Sequence, residues 1–383
     1  MSARVLFVDH SGEMGGAELF LLDVVRHWSD PFKVLLFSDG PFRVRLSNLS
    51  IPLQVLDQGG RMAQFRRGGG LAAALKGGGG LLRMVGRVAR LATEHDVVYA
   101  NSQKAFVVGA LAAFLARRPC IWHLHDILSR EHFSSTAIRV VVQLANRLAS
   151  RVVANSHATA EAFVAAGGRR SKVTVVYNGF ELSADRCTAD ERARIRAEVG
   201  CGGAPLIGVF SRLAPWKGQH VVIDALARLP DAHVLLVGSA LFGEDQYEEG
   251  LRERVAAAGL ESRVHFLGFR TDVARLMQCV DIVVHSSTAP EPFGRVVVEG
   301  MLAGRPVIAT AGGGVSEIIQ NDSTGLLVEP GDAQALSIAI ARLVADPELA
   351  QGLAAAGEQS ARARFDVTSV VAAIRAIVQD AHP

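Results

Sequence analysis

Four cysteines stand in the 383-residue chain, Cys120, Cys187, Cys201 and Cys279, and none falls in a CxxC pair or at metal-ligand spacing. That argues against a zinc module or a disulfide framework and for reduced thiols in a cytoplasmic protein. Aromatic residues make up only 6% and do not interleave with the basic ones, so no base-stacking surface for nucleic acid is in view. Long apolar runs are missing too. The longest, Ala105 to Ala116, stops at Arg117-Arg118, short of a membrane span, and reads as a buried helix. The apolar stretch Arg4 to Asp9 is too short for a signal peptide and reads as a first strand. No Asp-x-Asp pair occurs, so the usual carboxylate grip on a diphosphate-bound divalent cation is lacking, and no GxGxxG dinucleotide fingerprint occurs.

What is present is a globular balance, 49% hydrophobic against 20% charged, which excludes a disordered chain and suits two domains. Short apolar runs alternate with helical patterns: RVLFVD, AELFLLDVVRHW, KVLLFS, PLQVLD, LLRMVGRVARLA, DVVYAN, CIWHLHD, RVVANS and VTVVYN. Such alternation predicts a parallel sheet with helices on both faces. After Asn178-Gly179 it restarts with PLIGVF, HVLLVG, VHFLGF, DIVVHS, PVIAT and GLLVEP. Two α/β, Rossmann-like domains follow, over 1–180 and 181–365, with a terminal helix over 366–383. The charged join near Glu181 to Gly203 marks the boundary.

Net charge is +2, but residues 1–180 hold 22 Lys and Arg against 12 Asp and Glu, and the remainder 18 against 26. The basic half suits an anionic partner or membrane surface; attraction across an interdomain cleft is the other reading. Arg61, Arg66, Arg67, Lys76, Arg83, Arg87 and Arg90 form a basic patch that either docks on anionic lipid or is a solvated helix face. The glycines within 68–80 read as a surface loop or a lid.

Four segments carry polar residues suited to chemistry. In EPFGRVVVE, Glu291 and Glu299 flank a loop that becomes a helix at a strand's carboxyl end, where open α/β sheets bind ligands. Sugar or ribose hydroxyls are natural partners for them; an i,i+4 ion pair of Arg295 with Glu299 is the plain alternative. In SRLAPWKG, Arg212 offers a planar fork and Lys217 a compact charge, a combination suited to a diphosphate or to a solvated loop. Gly15 and Gly16 follow the first strand and open a helix, either to let backbone N–H groups approach a phosphate or as a tight turn. In WHLHD, alternation sends His123 and His125 to one side. They start a metal site only if a third ligand exists, and otherwise hydrogen-bond, with His123 the more structural of the two.

In this order, EPFGRVVVE with GMLAGRPVIAT, SRLAPWKG, the GGAE turn, WHLHD and VVYNGFE resemble glycosyltransferase family 4 over nearly the whole chain. The resemblance implies GT-B architecture, two Rossmann-like domains facing across a cleft with the terminal helix crossing back to the first, and retaining sugar transfer from a nucleoside diphosphate donor. It implies an N-terminal acceptor domain and a C-terminal donor domain. By the same resemblance Arg212 and Lys217 bind the diphosphate, Gly15 and Gly16 approach it, and Glu299 grips the ribose. Glu291 and the backbone of Phe293, Gly294 and Arg295 hold the sugar, which His125 contacts. No metal or other cofactor is expected. The donor is a UDP-sugar or GDP-mannose; the acceptor is a hydroxyl of a glycan, a lipid-linked glycan or a small molecule, and the location is cytoplasmic or peripheral at the inner membrane face. Rival readings are a sugar-nucleotide epimerase and a non-catalytic nucleotide-sugar-binding protein.

Overall fold

The computed structural model describes residues 2–56, 78–130, 133–182, 186–240 and 243–382. Most of the Gly-rich stretch, with Arg61, Arg66, Arg67 and Lys76, lies outside them. The chain divides into two compact units, Met1–Glu181 with Val367–Pro383, and Leu182–Asp366.

In the first unit β1 (Val5–Asp9), β2 (Phe32–Leu36), β3 (Leu53–Val55), β4 (Val97–Ala100), β5 (Cys120–Leu124), β6 (Ala149–Ala154) and β7 (Val173–Val175) form a sheet in the order β3-β2-β1-β4-β5-β6-β7. Every pairing is parallel. Parallel strands need crossover helices, and helices on both faces require strands that are apolar on both sides. β1 shows this directly. Leu6 and Val8 join one core with Phe106, Trp122 and Leu124, while Val5 and Phe7 join another with Phe20 and Ile121.

The last helix, Val367–Ala381, belongs to this first unit. Its buried residues Val367, Val370, Val371, Ile374 and Val378 recur at helical spacing and enter the core of Val5 and Phe7. The chain rejoins the unit at Phe180, whose carbonyl accepts from Val367 N at 3.1 Å. Gly179 is required beside it, because a Cβ there would lie 2.8 Å from Val367 Cα.

The second unit holds β8 (Leu206–Phe210), β9 (His233–Val237), β10 (Val264–Gly268), β11 (Ile282–His285), β12 (Val307–Thr310) and β13 (Leu326–Val328), ordered β10-β9-β8-β11-β12-β13 and again all parallel. In each sheet the strand order reverses beside the first strand, between β1 and β4 and between β8 and β11. Loops leaving the carboxyl ends of such a pair diverge to opposite faces and open a crevice, the usual ligand site of open α/β sheets. Both units thus carry a switch point, and both fill it with polar side chains.

Two findings were not readable from spacing. The helix Gln103–Ala116 is buried along most of its length but leaves Phe114 and Leu115 65% and 63% exposed. Cys187 and Cys279, 92 positions apart, meet with their sulfurs 2.7 Å from one another. No helix among the described residues is long and apolar enough to cross a membrane.

Candidate functional site

At the β8/β11 switch point, β8 runs through Ser211 and Arg212 into a 3-10 turn, Pro215–Lys217, and then the helix Gln219–Leu226. Gly218 joins turn to helix at φ 70°, and a Cβ there would lie 1.9 Å from the Ser286 carbonyl oxygen, so only glycine fits. Ser286 Oγ donates to the Lys217 carbonyl at 2.9 Å and Thr288 N to the Trp216 carbonyl at 2.8 Å, which pins the cationic loop to the segment after β11. The fully buried Gln219 donates to Ser211 Oγ at 2.8 Å and to the Arg212 carbonyl at 2.9 Å. Both cations border the Trp216 ring, Arg212 at 5.4 Å and Lys217 at 4.1 Å from its centroid. Arg212 also lies 3.9 Å from Glu244.

Lys217 Nζ donates to Glu291 Oε1. The same oxygen accepts from Ser287 Oγ at 2.7 Å and lies 3.2 Å from His285 Nε2. Glu291 is only 7% exposed. Burial by itself pushes the carboxyl pKa up, but the Lys217 charge and the bonds from His285 and Lys217 outweigh it and hold the group well below the usual carboxylate range. The backbone is equally constrained. Gly313, at φ 59°, pairs with Glu291, and a Cβ on it would lie 2.0 Å from the Glu291 carbonyl oxygen; Gly314 N donates to that oxygen at 2.9 Å. Thr310, at the end of β12, donates to the Ser287 carbonyl at 2.7 Å.

Gly294, at φ 101°, opens the helix Arg295–Leu302, and Glu299 sits one turn along it with an oxygen 3.4 Å from Arg295 Nε. The two glutamates therefore occupy different environments. Glu291 is a buried anion with three polar partners on one oxygen, whereas Glu299 is a half-buried member of an i,i+4 pair. The Phe293 side chain is 2% exposed and meets Phe365 edge-on at 5.6 Å, so its backbone is what the loop offers.

The β1/β4 switch point holds a second network. Asn101, after β4, donates through Nδ2 to Asp9 Oδ2 at 2.6 Å and to the Ala17 carbonyl at 2.9 Å, leaving Oδ1 as the acceptor 3.1 Å from His125 Nε2. That arrangement puts a proton on His125 Nε2. His123 and His125 do share a side, with rings stacked at 4.1 Å. His123 is fully buried and 2.7 Å from Tyr99 OH; burial, aided by the His125 charge, holds its pKa well below the usual range, so it is neutral.

Gly15 caps the helix Gly16–Arg26, and its N–H donates to Glu18 Oε2 at 3.0 Å. Burial, then the charge of Asp9, pushes the Glu18 carboxyl up to about 8. Asp9, fully buried, goes the other way: burial raises it, but the bonds from His10, Asn101 and Ser11 outweigh that and lower it. At neutral pH Asp9 is the ion and Glu18 the acid. Asp9, His10 and Glu18 offer ligand atoms within 4.8 Å of one another, the one such metal-capable set among the described residues.

Several members were missed in the sequence. Asn101 and His285 end the strand runs DVVYAN and DIVVHS, and a polar residue closing an apolar strand was the signal available. Ser287, Thr310 and Gly313 had none without the sheet order that brings them together.

Two doubly wound parallel sheets with polar crevices at their switch points are the α/β architecture of the GT-B class. Residues 191–360 match the model for glycosyl transferases group 1, and residues 15–179 that for a glycosyl transferase 4-like domain. Anabaena HepE, solved in complex with UDP-glucose, is 44% identical with a TM-score of 0.90, over 99% of this chain and 100% of HepE. The lipopolysaccharide core biosynthesis glycosyltransferase LpsE of Rhizobium meliloti is 31% identical over 56% of this chain and 59% of its own. A GDP-mannose-dependent alpha-(1-6)-phosphatidylinositol monomannoside mannosyltransferase of Mycolicibacterium smegmatis is 27% identical over 71% of this chain and 73% of its own. The chain spans about half the length of several curated relatives it matches, from 59% of LpsE down to 39% of the D-inositol 3-phosphate glycosyltransferase of Mycobacterium marinum. The chain belongs to the GT-B glycosyltransferases of the group 1 and group 4 type.

Proposed function

We propose that the protein is a retaining glycosyltransferase that moves a hexose from a UDP-sugar to an acceptor hydroxyl, without a metal ion. The observation that carries this reading is the buried Lys217–Glu291 pair at the β8/β11 switch point. The 44% identity to a protein crystallised with UDP-glucose favours UDP over GDP-mannose as the donor nucleotide.

The chemistry follows from charge. A nucleoside diphosphate brings negative charge that must be neutralised, and more develops on the β-phosphate as the sugar bond breaks. Arg212 and Lys217, held by Gln219, Ser286 and Trp216, stabilise that charge without reorganising. Glu291 and the amides of Phe293, Gly294 and Arg295 hold the sugar, and Glu299 takes the ribose hydroxyls by trading its contact with Arg295. The departing phosphate oxygen accepts the acceptor's proton, so same-face attack needs no separate base. Glu291, engaged by Lys217, Ser287 and His285, is placed to position rather than to attack. In the first unit His125, with its Nε2 held by Asn101, contacts substrate, and the unit selects the acceptor. A lipid-linked acceptor would suit the exposed Arg83, Arg87 and Arg90 beside Leu82.

Release of UDP from UDP-glucose, with the product's anomeric configuration read by NMR, tests the reaction. Retention in the presence of EDTA supports the proposal. Inversion, or a strict need for added metal, contradicts it, and epimerised nucleotide sugar formed without acceptor would favour the epimerase.

A further inference from the structure

The second sheet has a second crevice, at the edge opposite the Lys217–Glu291 cluster, and we propose that it binds the phosphate monoester of a small organic molecule. This cavity of about 520 Å³ lies where β8, β11 and β12 begin, under the helices Ala189–Glu198, Ala333–Ala345 and Pro347–Arg364. Arg192, Arg196 and Arg305 line it with a single carboxylate, Asp281, while Leu343 and Ala350 give it an apolar wall.

The three guanidinium groups are not equivalent. Arg192 and Arg196 both bond Asp281, the latter at 3.0 Å, and Arg196 is further occupied by the carbonyls of Gly202 and Ala204. Asp281 also accepts from Leu206 N at 2.8 Å. Arg305 makes no side-chain hydrogen bond among the described residues, and its Nε is buried without a partner. Burial and the nearby Arg192 charge both weigh against its cation. A guanidinium does not shed its proton in a protein, so a buried donor of this kind calls for an anion.

Charge and size specify that anion. Three cations against one carboxylate leave an excess of two positive charges, which matches the roughly −1.5 to −2 of a phosphate monoester near pH 7. Guanidinium forks pair with phosphate bidentately. The volume falls within the roughly 300–1,000 Å³ of small-molecule sites, more than inorganic phosphate needs, and the Leu343 and Ala350 wall takes the carbon skeleton. The cavity lies wholly within Leu182–Asp366 and shares no residue with the donor cluster, so it stands whether or not the UDP-sugar reading does.

The test is a thermal-shift and calorimetric titration of the full chain with glucose 6-phosphate, ribose 5-phosphate and glycerol 3-phosphate, with glucose as the neutral control. Native protein and Lys217→Ala should bind at least one of the phosphates, with Tm rising about 2–4 °C at concentrations several-fold above Kd. Arg305→Gln should weaken that binding at least about tenfold. Without ligand, Arg305→Gln and Arg305→Met should melt no lower than the native chain, because they remove a half-buried guanidinium whose Nε has no partner. Three results would each overturn the proposal: no phosphate ester binds; binding survives Arg305→Gln unchanged; or binding is lost in Lys217→Ala, which would place it at the donor cluster. A lower ligand-free Tm in both Arg305 variants would assign the residue a structural role instead.

Discussion

Lys217 Nζ donates to Glu291 Oε1, and the pair joins the loop after β8 to the loop after β11 across the switch point of the second sheet. Both side chains are largely withdrawn from water, at 18% and 9% exposure, so neither charge is stable there without the other or a substitute. Glu291→Gln should therefore cost about 3 kcal/mol of stability, retain measurable donor binding and lose most transfer. Chemical denaturation and initial-rate kinetics check this. Because the Glu291 pKa is depressed, the stabilisation is complete above the unfolded carboxylate value of about 4.3 and fades as pH falls below it. Mass-spectrometric trapping of a glycosyl adduct on Glu291 would sink the positioning role.

Asn101 should act on catalysis through His125. Removing the amide in Asn101→Ala unties Nε2 of the imidazole and also strips a donor from Asp9, at a cost of roughly 1–3 kcal/mol. The expected kinetic signature is a fall in kcat of about tenfold or more, with a smaller change in donor KM and a shifted pH profile. A variant that loses stability but keeps both the rate and the pH profile would reduce Asn101 to a structural residue.

Glu18 predicts an inverted pH dependence. Its folded pKa, about 8, lies above the unfolded carboxylate value of about 4.3, so the folded state holds the extra proton and stability declines as pH rises between the two. Glu18→Gln mimics the protonated acid and should remove that slope, gaining stability over the native chain at pH 9 and little at pH 4. Denaturant midpoints for both proteins from pH 4 to 9 read it out; parallel curves would show that Glu18 is ionised in the fold.

Gly218 closes the loop after β8 at a point where no side chain fits. A methyl there meets the Ser286 carbonyl at 1.9 Å in a backbone conformation of φ 70°. Gly218→Ala should cost about 3 kcal/mol or more and displace Lys217, so soluble protein that recovers should bind UDP-glucose poorly. Normal affinity in that variant would show that Lys217 does not need this turn.

The helix Gly78–Ala92 should decide the membrane question. Leu82 is 74% exposed and Arg83, Arg87 and Arg90 face solvent. Sedimentation with anionic vesicles at low salt, lost at high salt and in the triple Arg→Gln variant, is the expected result. Absence of binding at low salt removes the lipid surface.

Both parallel sheets were legible because β1, β8 and their neighbours are apolar runs separated by helical periods, a pattern few other arrangements satisfy. The site was legible in part. Arg212, Lys217 and Glu291 stood out as charges in glycine- and proline-marked loops at strand ends, and the Arg295–Glu299 pair followed from helical spacing. Ser287, Thr310 and Asn101 did not stand out, because a small polar residue means little until the strand order decides what faces it. Arg305 was hidden for the same reason: only the packing of three helices over the amino ends of the strands gathers it with Arg192 and Arg196 around one crevice. His125 carried its signal through alternation with His123, yet its tautomer came from an asparagine 24 positions away.

Calorimetric titration of UDP-glucose into the native chain and Lys217→Ala tests the central claim most directly. Specific binding by the native protein in the presence of EDTA, weakened at least about tenfold by Lys217→Ala, is the result predicted. Equal affinity in the two proteins, or no binding without a divalent metal, would contradict it.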